Sequence, residues 1–249
     1  MTNSICSLCK QTAKLCESHI IPEFVYVPLY DENHRMLTKS VNPMIHTKRP
    51  RKGIWEHLLC RSCEVRLSDY ESEAKKLWDG AKGLTCEIGG NTNELFTIKG
   101  FDYKKLKLFQ ISILWRASVT NNEFFNKVKL GEHEETLRAM LCSENAGKAG
   151  DYGCLLFALE KDGKLANNIL FNPTANRIKD GAYSHRTYNF VFGGLRWDFV
   201  VSSHQKVSHK LSSCFLQDDG TLYSLKKPFY ESKPLMDALA KVVHNELKL

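Results

Sequence analysis

The sequence lacks several features that would place it outside the globular proteins. No apolar run in its 249 residues approaches the roughly 20 residues of a membrane-spanning helix. The first twenty residues lack the apolar stretch of a secretory signal, and the chain has neither an internal repeat nor a low-complexity segment. With 43% hydrophobic and 25% charged residues, the composition is that of an ordinary globular protein. We therefore expect a cytoplasmic protein with no membrane partner.

The nine cysteines do not suggest a disulfide framework. Their number is odd, and thiols stay reduced inside cells, so we expect some of them to bind metal rather than one another. The charge is less informative, because 35 Lys and Arg against 28 Asp and Glu give a net charge of +7. This excess of cations permits contact with a polyanion but does not identify one.

Hydrophobic periodicity and turn residues divide the chain into two parts. A small zinc module at 1–80 precedes an α+β domain at 95–249. The polar, basic segment 31–53 is predicted as hairpin and loop, and the glycines between 80 and 90 are predicted to form a loop. The predicted helices are 64–78, 102–120 with Asp102 as N-cap, 132–142, and a closing helix around 235–243. The predicted strands are 154–159, 168–171, 188–192 and 197–202.

Two Cys-x-x-Cys pairs are the strongest motif of the sequence. Cys6 and Cys9 form one pair, and Cys60 and Cys63 form the other. A spacing of two residues lets a tight turn direct both sulfur atoms at one tetrahedral Zn²⁺ ion. Four thiolates leave no coordination position open, so this zinc is expected to be structural. The alternative is two coincidental pairs of buried thiols.

Further motif residues follow the two cysteine pairs. The segment 17–22 reads Glu-Ser-His-Ile-Ile-Pro, and Glu64 comes directly after Cys63. Together with the cysteines, these residues resemble the zinc-bearing branch of the HNH, or ββα-metal, endonucleases over about residues 6–70. The resemblance implies a zinc-bound ββα-metal, treble-clef-like module at the N-terminus. The predicted fold class is therefore α+β, with this module followed by an α+β domain of helices and then a small, mostly antiparallel sheet.

The resemblance also implies a metal-dependent endonuclease that hydrolyses phosphodiester bonds of DNA. His19 matches the family's general base, and Glu64 matches the position of a ligand to the catalytic divalent ion. Ser18 is a candidate to assist catalysis, and Glu17 is a further candidate metal ligand. Mg²⁺ or Mn²⁺ suits carboxylate and water ligands. Compact nucleases joined to an unfamiliar second domain look like components of bacterial anti-phage defence or restriction.

The motif departs from the family pattern at three positions. Ser18 stands where the family has Asp, Glu64 stands where it has Asn or His, and the family's middle Asn is absent. A second interpretation is therefore a non-catalytic, zinc-stabilised subunit that binds nucleic acid or a protein. In that interpretation His19 braces the hairpin through hydrogen bonds, and Glu64 is an acidic residue near a helix N-terminus.

Basic residues are concentrated in the segment that separates the cysteine pairs. The predicted nucleic-acid contacts are Lys48, Arg49, Arg51, Lys52 and Arg61, with duplex DNA as the expected partner. The alternative for this segment is a solvated loop. The domain at 95–249 shows no recognisable catalytic motif, and recognition of a target, a protein partner or a second copy of the chain are its candidate roles. Lys104, Lys105 and Lys107 are expected on the solvent face of the long helix.

Overall fold

The computed structural model combines helices and sheet, which confirms the mixed fold class. It describes residues 3–38, 49–80, 83–91, 94–202 and 206–231, together with 236, 237 and 240. The helices are α1 (Glu23–Tyr26), α2 (Arg61–Asp79), α3 (Tyr103–Val119), α4 (His133–Ser143) and α5 (His209–Ser212). The strands are β1 (Ser4–Ile5), β2 (Thr12–Ala13), β3 (Leu15–His19), β4 (Trp55–Cys60), β5 (Thr85–Gly89), β6 (Leu95–Lys99), β7 (Cys154–Lys161), β8 (Lys164–Leu165), β9 (Phe171–Asp180), β10 (Tyr183–Phe192), β11 (Leu195–Val201) and β12 (Leu222–Pro228).

Two strand pairs and one long helix form the N-terminal part. β1 pairs with β2 around the turn that holds the first two cysteines, and β3 pairs antiparallel with β4. α2 begins at Arg61, directly after β4, so the predicted helix at 64–78 is confirmed and starts three residues earlier. This start places Glu64 in the first turn of α2. The helix ends before Gly80, whose left-handed φ of 58° suits a residue without a side chain.

The C-terminal part is built on one eight-stranded sheet. Its strand order is β5-β6-β12-β7-β11-β10-β9, with β8 added on β7. All neighbours are antiparallel except β7 and β12, which run parallel. The expectation of helices followed by a sheet is wrong in one respect, because β5 and β6 precede α3 in the chain. Their short, partly exposed sequences carry too little apolar alternation to be recognised as strands.

α3 is the central helix of the molecule. The Asp102 carboxylate accepts a hydrogen bond from the backbone N–H of Lys105 at 3.0 Å, which confirms the predicted N-cap. All residues from Leu106 to Ala117 are buried, so the helix contacts protein on every side. The predicted solvent exposure of Lys107 is therefore wrong. Its buried ammonium donates to two backbone carbonyls, those of Ala149 and Tyr152, each at 3.2 Å.

Other elements agree with the sequence to different degrees. The predicted helix 132–142 is α4, and the predicted strands 154–159, 188–192 and 197–202 fall in β7, β10 and β11, apart from residue 202. The strand predicted at 168–171 is wrong, because β9 begins only at Phe171, and the loop predicted at 80–90 contains β5. Of the closing helix predicted around 235–243, only residues 236, 237 and 240 are described, and these are helical. The middle of the segment 31–53 lies outside the described residues.

One cluster of buried apolar side chains extends through both predicted parts. It includes Leu67 of α2, Leu106 of α3 and Trp197 of β11, none of them more than 1% exposed. α3 therefore packs against the N-terminal module as well as against the sheet. The boundaries at 80 and 95 stay a prediction. No helix within the described ranges has both the length and the apolar character needed to cross a membrane.

Candidate functional site

The four sulfur atoms predicted as zinc ligands lie together in the structure. Those of Cys6, Cys9, Cys60 and Cys63 are all within 4.8 Å of one another, and Cys9 Sγ lies 3.7 Å from Cys60 Sγ. A tetrahedral ion with Zn–S bonds of about 2.3 Å keeps its sulfur ligands about 3.8 Å apart. The cluster therefore has the dimensions of a site for one metal ion. Within the described ranges, it is the one group of three or more candidate ligands at this spacing.

The protein itself favours the thiolate form at one of these cysteines. Burial raises the pKa of Cys63. Burial also acts to raise the pKa of Cys60, but hydrogen bonds outweigh it, among them one with the Ser62 hydroxyl at 3.2 Å, and lower this pKa to about 6. Metals bind the thiolate rather than the thiol. Cys60 is therefore ready to bind a cation at neutral pH.

The turn that carries the first cysteine pair is held from two sides. The carbonyl of Leu8, between the two cysteines, accepts hydrogen bonds from Arg138 Nη1 at 2.7 Å and from Cys142 Sγ at 3.3 Å, both on α4. On the other side, the backbone N–H of Ser7 donates to the carbonyl of Leu58 in β4 at 3.0 Å. These contacts fix the turn independently of the metal ligands themselves.

His19 is the last residue of β3, and its side chain is 24% exposed. Its Nε2 lies 2.7 Å from Oε2 of Glu23 in α1, an ion-pair distance, although the two groups are not aligned for a linear hydrogen bond. The other carboxylate oxygen of Glu23 accepts a hydrogen bond from the Tyr30 hydroxyl at 2.8 Å. Glu23 is thus held by Tyr30 on one side and faces the imidazole with the other.

The charges around His19 act on its pKa in opposite directions. Burial lowers the pKa, Glu23 and Glu71 raise it, and Arg116 lowers it. The net effect is a lowered pKa, so the ring is neutral at pH 7 and keeps one nitrogen lone pair free to accept a proton.

Glu64 lies close to Ser18, where the first turn of α2 meets β3. Burial raises the pKa of Glu64, while a hydrogen bond with Ser18 and the charge of Arg116 oppose that rise. One carboxylate oxygen, Oε1, is shielded from solvent and has no hydrogen-bond partner among the described residues. Ser18 is fully buried, and its hydroxyl oxygen accepts a hydrogen bond from the backbone N–H of Leu59 at 3.0 Å. Ser18 therefore joins the two strands as well as contacting Glu64.

The Arg116 guanidinium on α3 connects these groups. Its side chain is 1% exposed, and Nη2 forms an ion pair with Glu71 Oε1 of α2 at 2.8 Å. Nη1 donates to the backbone carbonyl of His19 at 2.7 Å. His19 and Glu64, which are distant in sequence, therefore face the same two charges, those of Arg116 and Glu71.

Glu17 takes no part in this cluster. Its carboxylate is exposed and pairs with Lys52 Nζ at 2.5 Å. That hydrogen bond lowers the pKa of Glu17. The contact also gives Lys52 an acidic partner within the module.

The other predicted nucleic-acid contacts lie at the surface. Arg49, Arg51 and Arg61 are exposed, and Lys48 lies outside the described residues. An open cavity of about 520 Å³ is bordered by Arg51, Lys52 and Trp55. Trp55 pairs with His19 across the two strands, so this cavity adjoins the His19 cluster.

Three residues of the cluster were not predicted from the sequence. Glu23 follows His19 by four positions, a spacing that could have indicated contact between the two. Glu71 follows Glu64 by seven positions, which places both on one face of α2. Arg116 gives no local signal, because its helix lies far along the chain from the motif residues.

Comparison with known proteins does not assign this chain to a group. It matches no family model, no curated protein and no solved structure.

Proposed function

We propose that the chain is a metal-dependent DNA endonuclease of the HNH type, with the zinc-bound ββα module at its N-terminus. One observation carries the proposal: His19 and Glu64, the two residues that match the family's base and metal ligand, lie around the same Arg116–Glu71 ion pair, whose guanidinium is buried. The order of the elements supports it, because β3 and β4 are followed directly by α2. Perturbed ionisable groups that converge in this way are typical of catalytic sites.

His19 would act as the general base. The negative charge of Glu23, 2.7 Å from Nε2, favours the tautomer that carries its proton on that nitrogen. The lone pair on Nδ1 is then available to take a proton from the water that attacks the phosphodiester. The lowered pKa keeps the ring in this neutral, proton-accepting form at pH 7.

Glu64 fits the role of a ligand to a divalent ion. Its Oε1 is shielded and unpartnered, and burial disfavours its negative charge, which a cation would compensate. Mg²⁺ or Mn²⁺ suits a carboxylate oxygen, and when bound it supplies charge stabilisation for the phosphoryl group. Ser18 accepts a hydrogen bond from Leu59 and also contacts Glu64, whereas Glu17 is engaged with Lys52.

The cysteine cluster would hold a structural Zn²⁺ ion. Four thiolates saturate a tetrahedral ion, so no position is left for substrate or water. Closing both turns on one ion would contribute folding free energy to a small module. The ion therefore would hold β4 and α2 in place rather than take part in hydrolysis.

Duplex DNA would lie along the surface that carries Arg49, Arg51 and Arg61. Each phosphate contact contributes an affinity increment that salt weakens. The exposed positions of these residues leave their guanidinium groups accessible. Such a nuclease would serve in anti-phage defence or in restriction. The C-terminal sheet would recognise the target, a protein partner or a second copy of the chain.

The test is cleavage of plasmid DNA in Mg²⁺ or Mn²⁺ by the wild type and by His19→Ala. We expect the rate to fall by about 100-fold or more, because a general base contributes at least that much. Zinc content and the melting temperature should stay unchanged. His209→Ala, which removes an exposed imidazole on α5, is the matched control and should cleave like the wild type. Equal cleavage by His19→Ala and wild type contradicts the proposal.

A non-catalytic nucleic-acid- or protein-binding subunit is the second candidate. The ion pair of Glu17 with Lys52 favours it, because it leaves Glu64 without this second carboxylate beside it. This function predicts binding that requires zinc but no added divalent ion. It also predicts no strand cleavage by the wild type in any ion.

A further inference from the structure

Arg116 lies outside the segment that resembles a nuclease, yet it reaches into the His19 cluster. The guanidinium comes from α3, beyond the predicted zinc module, and its side chain is 1% exposed. A buried guanidinium is stable only when its donors are matched by acceptors. Here the acceptors are the Glu71 carboxylate, the Ser112 side chain and backbone, and the carbonyl of His19.

We propose that Arg116 is a positioning residue, which fixes the backbone of His19 while Glu71 holds the guanidinium in place. This inference rests on the proposed role of His19 as base. The His19 carbonyl lies at the end of β3, where the chain leaves the strand pair, and Arg116 Nη1 binds it at 2.7 Å. The next residue, Ile20, donates its backbone N–H to Ile54 at 3.1 Å. The peptide that follows His19 is thus held at both its oxygen and its nitrogen.

The imidazole is held separately by Glu23. His19 is therefore fixed at two points, through its backbone by Arg116 and through its ring by Glu23. A displacement of about 1 Å at a reacting group can cost about 100-fold in rate, so this fixation matters for a base that must meet a bound water. Arginine suits the task because its planar fork can serve the Glu71 carboxylate and the His19 carbonyl at once, whereas one ammonium group cannot match both directions.

α3 is also fixed to the strand pair at its C-terminal end. The Glu56 carboxylate of β4 accepts hydrogen bonds from the Thr120 hydroxyl at 2.5 Å and from the backbone and side chain of Asn121 at 2.9 and 3.0 Å. These bonds fix the position of α3, and therefore of Arg116, relative to the strand pair. The C-terminal part of the chain would therefore complete the site rather than merely follow it.

The experiment uses the full chain with the double variant Arg116→Gln, Glu71→Gln, which removes both charges of the ion pair together and avoids leaving one unpaired. The matched control is Lys105→Gln, Asp69→Asn. That ion pair joins the same two helices at 3.0 Å, but both of its side chains are exposed to solvent. We expect kcat to fall by about 10- to 100-fold in the first variant with KM for DNA nearly unchanged, because Arg116 is buried and does not touch the substrate. The control should match the wild type.

A second measurement does not depend on cleavage. In histidine-labelled protein, the ring signals of His19, assigned with His19→Gln, should move in the Arg116→Gln, Glu71→Gln variant and stay in place in the control. Arg116→Lys preserves the charge opposite Glu71 and should show a smaller loss of kcat and a smaller movement of the ring signals. If the double variant fails to fold, kcat and the ring signals of Arg116→Lys are compared with those of the wild type instead.

The outcomes separate the two proposals. Wild-type kcat in the Arg116 variants, or the same loss in the control, would overturn the positioning role. If the wild type does not cleave DNA at all, the proposed function fails, and the ring signals alone decide the positioning role. Unmoved His19 signals would then overturn it, and moved signals would support it.

Discussion

The cysteine cluster and the His19 cluster lie at opposite ends of the same strand pair, and they are assembled differently. Leu15 pairs with Cys60 at one end, and His19 pairs with Trp55 at the other. The four thiols come from the turn between β1 and β2 and from the junction of β4 and α2, each pair with a spacing of two residues. The His19 cluster gathers one side chain each from β3, α1 and α3 and two from α2.

This difference separates what maintains the module from what could act on a substrate. A closed set of four thiolates can stabilise a fold but has no free position for chemistry. The His19 cluster has a partly exposed imidazole and a shielded carboxylate oxygen without a partner among the described residues, and it depends on the packing of α3. Damage to the first cluster should therefore unfold the module, whereas damage to the second should lower the rate and leave the fold.

The largest effect is expected from Cys63→Ser. Loss of one ligand should release the metal, and structural zinc sites contribute folding free energy on the order of 10 kcal/mol. We expect zinc content to fall from one ion per chain to near zero, together with a large drop in melting temperature. Metal analysis and thermal unfolding measure the two quantities.

Cys86→Ser is the control for that experiment. Cys86 is an exposed thiol in β5 and takes no part in the cluster. It should retain zinc and melt like the wild type. A Cys63→Ser protein that keeps its zinc would show that the close sulfur atoms do not form the metal site.

The contrast between the clusters also explains which features could be predicted from the sequence. Cysteine spacing and the Asp102 cap are local patterns, so the four thiols and the start of α3 were recognised. The buried positions of Lys107 and Arg116 depend on helices and strands that meet only after folding, and a cation on a helix normally indicates a solvent face. The sequence does not predict β5 and β6 for a related reason, because the pairing of β5 with β6 and of β6 with β12, rather than their own pattern, makes them strands.

A smaller effect is expected from Glu23→Gln, which tests whether the His19 cluster is held by its own contacts. The amide keeps the shape of the side chain but removes the charge that faces Nε2 at 2.7 Å. We expect kcat to fall by about 10- to 100-fold, since the ring loses its preferred orientation and tautomer. Zinc content should not change.

Glu87→Gln provides the comparison for Glu23. Glu87 is exposed on β5 and pairs with Lys99 at 3.0 Å, so its change should leave cleavage unaffected. A Glu23→Gln enzyme with wild-type kcat would show that Tyr30 and Glu23 do not orient the imidazole.

The smallest expected effect is on the pH dependence of folding stability, to which His19 and the zinc ligands contribute separately. Burial lowers the pKa of His19 below its ordinary value of 6.5, so the unfolded chain binds a proton that the folded chain disfavours. The free energy of unfolding should therefore decrease as pH falls through 6.5 and stop decreasing below the folded pKa. Acid also protonates the zinc ligands, but equally in the wild type and in His19→Gln. Urea unfolding at pH 7 and pH 5 should thus show a greater loss for the wild type, and equal losses would mean that the folded environment does not disfavour the imidazolium.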